Sequence, residues 1–173
     1  MKNSKSPRTF GGENLIGKRK MKRPLSTREP IHLILRTHSE FARELFSPLY
    51  KKSMKTVKLT ANQFQIKIYE LAFNFTHVHL VIKLKNKSDY VKFIRALTAR
   101  LAALARRTLQ KKALCVFQHR PYTRIVSWGR DWRRLIEYVL NNQVESGVLN
   151  QKEAFESLGE YAISIKIRPT TNG

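Results

Sequence analysis

The order of strands and helices in this 173-residue chain predicts an α+β fold with an antiparallel sheet. Short apolar runs with alternating polarity indicate strands, and longer segments with apolar residues three and four apart indicate helices. The elements follow one another as β-α-β-β-α-β, and one more helix comes after the last strand. That order is typical of a ferredoxin-like sheet, with two helices packed on one face and the other face open.

The first half of the predicted fold holds two strands with a helix between them. Residues 31–36 alternate between apolar and polar types, as a half-buried strand does. Ser47-Pro48 is a typical helix start, a capping residue followed by proline, and we expect this helix to continue to about Ala61. Residues 64–73 are rich in aromatic and branched side chains and form the second predicted strand.

The second half begins with the clearest strand of the chain, residues 77–84. Ser88-Asp89 is predicted to cap a long helix, because apolar residues follow it at spacings of three and four. Residues 116–126 are expected to contain the fourth strand. The additional helix, which carries a tyrosine, is expected from Asp131 to about Glu145, just before a glycine.

Three parts are predicted along the chain. Residues 1–23 form a basic, disordered tail, since they hold eight Lys and Arg, one acid and no apolar periodicity. Residues 24–149 form a single domain, an ordinary size for one hydrophobic core. Residues 150–173 form a C-terminal extension, for which we expect a short helix and then a strand-like run at 161–167.

The charge of the chain indicates its class of partner. It carries 34 basic and 12 acidic residues, a formal net charge of +22. Without the first 23 residues, 26 basic and 11 acidic residues remain, so the predicted domain itself has a charge of +15. Such a charge favours a polyanionic partner, and nucleic acid is the usual one. A basic ribosome-associated protein would also fit the charge alone.

Other features of the composition favour a cytoplasmic, nucleoid-associated protein with no membrane partner. No stretch approaches the ~20 apolar residues that span a membrane, and the N-terminus lacks the apolar core of a secretory signal. The one cysteine, Cys115, cannot form an internal disulfide and suits a reducing compartment. Its apolar neighbours predict a position in the core.

Two histidines in the clearest strand are candidate metal ligands. Residues two apart in a strand point to the same side, so His77 and His79 share the face opposite to the apolar one. Two adjacent imidazoles can bind one divalent ion and leave room for substrate. An isolated His-x-His pattern is more often a polar surface, so a third ligand and a nucleophile are needed beside it. The other histidines are interpreted as surface or DNA-contacting residues: His32, His38 and His119.

The additional helix carries a tyrosine and an amide on one face. Tyr138 and Asn142 are one turn apart and lie off the apolar stripe of this helix, so both side chains can reach one site. The amide oxygen of Asn142 is a suitable third ligand for Mg²⁺ or Mn²⁺, which prefer oxygen. A phenol is a weak nucleophile at neutral pH, and a metal ion and basic residues around the phosphate would lower the barrier to its attack.

Basic side chains on the wet face of the first helix, beside the fourth strand and on the tyrosine helix are candidate DNA contacts, since they would bind phosphates. These candidates are Lys51, Lys52, Lys55, Arg120, Arg124, Arg130, Arg133 and Arg134.

Four segments together resemble one known family: PIHLILR at 30–36, HVHL at 77–80, RPYTRIV at 120–126 and YVLNN at 138–142. In this order, they are similar to the REP-associated tyrosine transposases, relatives of the single-tyrosine insertion-sequence transposases in the HUH endonuclease superfamily. The likeness spans residues 24–149. Thr76 precedes the first motif histidine, where relatives usually carry Asn or Asp, and Gln143 stands where they usually have Pro.

The resemblance implies a metal-dependent endonuclease and strand-transferase that acts on single-stranded, hairpin-forming repeat DNA. Tyr138 would form a 5′-phosphotyrosine link and leave a free 3′-OH, with no nucleotide cofactor. His77, His79 and Asn142 would bind Mg²⁺ or Mn²⁺. Relatives act as homodimers that exchange the tyrosine helix or as monomers, and both states fit. Two other functions fit the same fold: a domesticated, non-catalytic nucleic-acid-binding protein, and a replication initiator of the same superfamily.

Overall fold

Five strands and four helices are present in the computed structural model, which describes residues 8–15, 22–38, 49–74, 76–109, 115–148 and 150–166. The strands are β1 Thr9–Phe10, β2 Ile31–Arg36, β3 Lys67–Asn74, β4 His77–Lys83 and β5 Tyr122–Ile125. The helices are α1 Tyr50–Gln63, α2 Lys87–Leu109, α3 Arg130–Glu145 and α4 Gln151–Lys166, and a short 3-10 helix spans Gly12–Leu15.

The sheet is antiparallel throughout, with the strand order β1-β5-β2-β4-β3. Apart from the short edge strand β1, this is the ferredoxin-like order, so the predicted fold class is confirmed. β2 and β4 are the central pair, and their register places Ile34 opposite His79 and Arg36 opposite His77. Side chains of these two strands therefore meet in pairs on each face of the sheet.

The main apolar core lies between one face of the sheet and helices α1 and α2. Leu33 of β2 and Leu80 of β4 are fully buried there, against Val57 of α1 and Phe93 of α2. Because successive residues of a strand point to opposite sides, the intervening residues of β2 and β4 face away from this core. Those intervening residues include the motif histidines, as predicted from the alternation.

A second, smaller core covers part of the opposite face. α3 lies on β3 and β4 and buries Trp132, Ile136 and Val139 against Ala72 and Val81. α4 packs in turn on α3. The face that the sequence predicts to be open is therefore covered by α3 on the β3 side, and a cleft remains above β2 and β5.

Part of the N-terminal segment is folded, so the prediction of a disordered tail over residues 1–23 is wrong for residues 8–15. Thr9 and Phe10 pair with Arg124 and Thr123 of β5. Phe10 is buried, and the guanidinium carbon of Arg23 lies 4.3 Å from the centre of its ring. A two-residue strand has no periodicity to detect, and its hydrogen bonds come from the edge of a distant strand. Residues 1–7 and 16–21 lie outside the described part of the chain.

The fourth strand of the predicted order lies within residues 116–126, as expected, and the segment before it is irregular. β5 begins only at Tyr122. Pro121 has no N–H to donate to a neighbouring strand, and His119 has a positive φ of 42°. Cys115, expected in the core, is exposed. Residues 118–120 thus line the cleft, and before them Phe117 forms an isolated antiparallel bridge with Thr37, just beyond the end of β2.

The ends of the helices also differ from the predicted ones. α1 continues to Gln63, which delays the start of β3 to Lys67, and the predicted start at Ser47-Pro48 lies outside the described residues. α4 extends to Lys166, so most of the run predicted as strand-like is helical. Within the described residues, no helix is long and apolar enough to cross a membrane.

Candidate active site

A cleft of about 710 Å³ lies between the sheet and α3. β2, β4 and β5 form its floor, α3 forms one wall, and the N-terminal 3-10 helix forms part of the rim, where Glu13 makes an ion pair with Arg36. The residues that the sequence singles out as catalytic or metal-binding all line this cleft: Tyr138, His77, His79 and Asn142. Elements from both ends of the chain therefore converge on one site.

The two motif histidines lie side by side on β4, with ring centroids 5.8 Å apart. Nδ1 of His77 is 2.7 Å from Oγ1 of Thr76, and Nδ1 of His79 is 3.2 Å from Nε2 of His32. Both of these contacts use Nδ1, so Nε2 is the nitrogen of each ring that a ligand in the cleft can reach. Thr76, a departure from the family pattern, keeps a polar contact with the first motif histidine.

Burial lowers the pKa of His32, His77 and His79, the three histidines on the floor of the cleft. Desolvation, and then the neighbouring His77, lower the pKa of His79 to about 4. Desolvation, followed by the charges of His79 and Arg124, lowers the pKa of His32 to about 3. The pKa of His77 is also lowered, mainly by desolvation. At neutral pH the rings are therefore uncharged, which is the form that binds a metal ion.

Tyr138 extends from α3 across the buried histidines. Its ring centroid lies 5.5 Å from that of His79 and 6.1 Å from that of His32, with the rings edge to face in both pairs. Tyr138 is nevertheless 48% exposed, an unusual value for a large aromatic residue. The ring is thus fixed against the floor of the cleft, and the residue remains accessible to a bound molecule.

Asn142 lies one turn further along α3 and is 5% exposed. Its Oδ1 accepts a hydrogen bond of 2.6 Å from Nδ2 of Asn74, and its own Nδ2 donates to the backbone oxygen of Tyr138 at 2.7 Å. An amide oxygen has two lone pairs, so it can accept this bond and still bind a cation. Among the described residues, no three His, Cys, Asp or Glu side chains form a metal-binding group. A metal site here would therefore combine two imidazoles with an amide oxygen.

Three of the predicted DNA-binding arginines line the cleft: Arg120, Arg124 and Arg134. Arg124 makes an ion pair of 2.7 Å with Asp131. The other carboxylate oxygen of Asp131 accepts the backbone N–H of Ser127 at 3.1 Å, next to the start of α3. This ion pair fixes the guanidinium of Arg124 at the side of the cleft, where it can meet a phosphate.

The structure does not bring the other predicted DNA contacts to the cleft. Arg130 and Arg133 are exposed on α3 but do not line the cleft. The lysines of the first helix, Lys51, Lys52 and Lys55, are exposed on α1, which packs on the opposite face of the sheet. The predicted fold already places α1 and the motif histidines on opposite faces, so this separation follows from the fold class.

His32 is the main site residue that the sequence interpretation missed. It was expected at the surface, but it is 5% exposed and contacts His79. A signal was present, because His32 alternates with the core residue Leu33 in a strand that neighbours the His77 strand in the predicted fold. Other polar lining residues, among them Asn74 and Arg36, were also missed. His119 is exposed at the cleft, in agreement with its interpretation.

The fold and the site define a DNA-acting, transposase-like protein. Residues 27–142 match the family of IS200-like transposases, and this match covers more than half of the chain. The chain belongs to this transposase family.

The fold is also similar to that of solved structures. A REP-associated tyrosine transposase, solved bound to a REP hairpin, is 12% identical with a TM-score of 0.59, over 90% of this chain and 91% of that chain. A transposase-like protein from Deinococcus radiodurans R1 is 17% identical with a TM-score of 0.48, over 72% of this chain and 98% of that one. No curated protein sequence matches significantly. The resemblance predicted from the sequence is confirmed at the level of family and fold.

Proposed function

We propose that the chain is a single-strand DNA endonuclease and strand-transferase in which Tyr138 is the nucleophile. The observation that carries this proposal is the position of the Tyr138 ring, 5.5 Å from the His79 ring and half exposed in a cleft lined by arginines. A nucleophile, a pair of neutral imidazoles and fixed positive charges are the components that a phosphoryl-transfer site needs.

In the proposed reaction, Oη of Tyr138 attacks the scissile phosphorus and its proton passes to water. The bond from phosphorus to the 3′ oxygen breaks, and that oxygen takes up a proton. The products are a 5′-phosphotyrosine and a free 3′-OH, which can attack in reverse and rejoin the strand. One phosphodiester replaces another, so no nucleotide cofactor is required to conserve the bond energy. Arg120, Arg124 and Arg134 would bind phosphate oxygens and hold the strand in place.

Mg²⁺ or Mn²⁺ would supply Lewis-acid polarisation of the scissile phosphate. Nε2 of His77, Nε2 of His79 and Oδ1 of Asn142 would hold the ion. This donor set fits a divalent cation that accepts both nitrogen and oxygen ligands, because the imidazoles are neutral and the amide oxygen has a second lone pair. Asn74 would orient Asn142 through its 2.6 Å hydrogen bond.

Single-stranded, hairpin-forming DNA is the proposed substrate. The structurally similar REP-associated transposase was bound to a REP hairpin. Tyr122 and Tyr138 line the cleft and would stack with unpaired bases, and three arginines there would bind phosphates. This combination is typical of single-strand binding. Lys51, Lys52 and Lys55 would contact phosphates of the DNA outside the cleft.

Mapping of the covalent adduct tests the nucleophile. Wild type, Tyr138→Phe and Tyr122→Phe are incubated with a labelled single-stranded hairpin and Mg²⁺, denatured in SDS and examined by mass spectrometry. Tyr122 lines the same cleft, so Tyr122→Phe is the matched control. We expect an adduct on Tyr138 in wild type and in the control. Tyr138→Phe should form none and should still bind the hairpin within about twofold, since it loses one oxygen atom. An adduct on Tyr122, or cutting by Tyr138→Phe at the wild-type rate, would contradict the proposal.

A further inference from the structure

His32 is a buried, titratable side chain that takes no part in the proposed chemistry. It lies on β2, two positions along from Ile34, the residue opposite His79, so the two rings lie on the same face and meet on a diagonal of the sheet. The rings stack with centroids 5.5 Å apart and an interplanar angle of 23°, and Nε2 of His32 is 3.2 Å from Nδ1 of His79. A buried polar side chain in the core of a sheet needs such a partner, because desolvation is costly.

The hydrogen bond between two neutral imidazoles contains one proton, and its position decides what His79 can bind. If Nε2 of His32 donates, then Nδ1 of His79 accepts and the His79 proton resides on Nε2. The nitrogen facing the cleft then has no lone pair to offer. If Nδ1 of His79 donates, its Nε2 carries a lone pair, which is the form that can hold a cation. The two arrangements have the same heavy-atom distances.

We propose that His32 is a positioning residue: its Nε2 accepts the hydrogen bond from Nδ1–H of His79 and holds His79 in the tautomer whose Nε2 lone pair faces the cleft. The consequence for metal binding rests on the proposed function, whereas the tautomer itself does not. Other ligand histidines in proteins are commonly oriented in this way by a hydrogen-bonding partner behind the metal site.

The surroundings of the pair support this role. His32 and His79 are both almost fully buried, so neither ring can exchange its partner for water. Tyr138 packs edge-on against both rings, so the orientation of the two imidazole rings also determines the surface that the Tyr138 ring contacts. His77 differs, because its partner is the hydroxyl of Thr76, which can rotate to match either tautomer of that ring.

The position of the proton can be measured directly on the full chain without metal. Long-range ¹H–¹⁵N spectra of the imidazole groups at pH 7.5 distinguish a protonated from an unprotonated ring nitrogen, and a His79→Asn variant assigns the signals. We expect His79 to be protonated on Nδ1 and unprotonated on Nε2 in wild type. A proton on Nε2 of His79 would overturn the proposal. This measurement needs no His32 variant, so it decides the question even if a substitution prevents folding.

Two variants test the role of His32 as an acceptor. His32→Gln keeps an acceptor near the position of Nε2, and His32→Phe keeps a ring without one. We expect His32→Gln to preserve the His79 tautomer and to bind Mn²⁺ within about threefold of wild type, and His32→Phe to lose the tautomer and bind Mn²⁺ about 10–100-fold more weakly. The affinity is measured by calorimetry, with metal-free hairpin binding as the control for folding. Equal weakening by both variants would indicate that His32 is itself a ligand, which overturns the positioning role.

The two proposals fail in different ways. A wild-type chain that shows the expected His79 tautomer but does not bind Mn²⁺ would refute the metal site of the proposed function, and the positioning role of His32 would stand. A chain that binds Mn²⁺ with the His79 proton on Nε2 would refute the positioning role alone. The spectra therefore test the tautomer of His79, and the calorimetry tests whether the site binds a metal ion.

Discussion

The two faces of the central strands β2 and β4 have opposite properties, although the same two short segments form both faces. On the face covered by α1 and α2, the side chains of β2 and β4 are apolar and fully buried. On the other face, His32, His77 and His79 hold polar contacts around a cleft. Because a strand has a period of two, successive residues of β2 and β4 face the apolar core and the cleft in turn. Residues that stabilise the fold are therefore direct neighbours in sequence of residues that line the cleft.

The polar face depends on the apolar one. Burying His32 and His79 costs free energy, which their mutual hydrogen bond only partly offsets. The apolar face supplies the compensating burial through residues such as Leu80 and Phe93. Substitutions on the apolar face should therefore change stability, and substitutions on the polar face should change chemistry.

The largest expected effect is on the polar face and concerns cleavage. His77→Ala should reduce cutting of the single-stranded hairpin on the order of 10³-fold, because it removes one of the two proposed imidazole ligands of the metal ion. Its free energy of unfolding should change little, since His77 is only half-buried. Asn142→Ala should reduce cutting less, because water can replace the neutral oxygen that Asn142 would supply to the proposed metal site. Rates are measured with labelled DNA in Mg²⁺ and in EDTA, and robust cutting in EDTA would refute the metal role.

The next effect is on the apolar face and concerns stability. Leu80→Ala should lower the free energy of unfolding by about 3 kcal/mol, because it leaves a cavity between β4 and the helices. Tyr138→Phe, on the other face, should lower it by less than about 0.5 kcal/mol. Urea denaturation followed by circular dichroism measures both. Similar losses for the two variants would show that the faces are not separated as described.

Acid should lower the free energy of unfolding through the buried His32 on the polar face. Burial holds the pKa of His32 at about 3, below the 6.5 of an exposed histidine, so between these values the unfolded chain binds a proton that the folded chain does not. Stability therefore rises with pH across this window and is lost on acidification. The loss at pH 5, relative to pH 7.5, is about 2 kcal/mol for His32. Denaturation at both pH values measures it, and His32→Gln should flatten the profile. Equal stability of wild type at the two values would contradict the prediction.

The smallest effect compares two basic regions in DNA binding. Arg124→Gln, in the cleft, should weaken hairpin binding about tenfold, and Lys51→Gln, on α1, about twofold, because Arg124 is fixed by an ion pair in the cleft that Tyr138 also lines. Both variants should reduce the slope of log affinity against log salt by about one. Fluorescence anisotropy at several salt concentrations measures affinity and slope. A larger loss for Lys51→Gln would indicate that α1, and not the cleft, is the main contact.

The sequence by itself determined the properties that depend on local repeats. Alternation in residues 77–84 placed His77 and His79 on one face of a strand, and helical spacing placed Tyr138 and Asn142 on one face of a helix. The order of strands and helices predicted the ferredoxin-like sheet, and four motifs together predicted the transposase family. These inferences hold because the direction of a side chain within one element follows from the geometry of that element alone.

Tertiary structure decided which of these side chains meet. His32 contacts His79 because β2 and β4 are neighbours in a particular register, and Arg124 enters the cleft because β5 lies on the other side of β2. Thr9 and Phe10 become a strand only because β5 offers them a free edge, and Lys51 lies away from the cleft because α1 packs on the far face. Such contacts join residues far apart in sequence, and no local repeat encodes them, since register and packing are set by the whole fold.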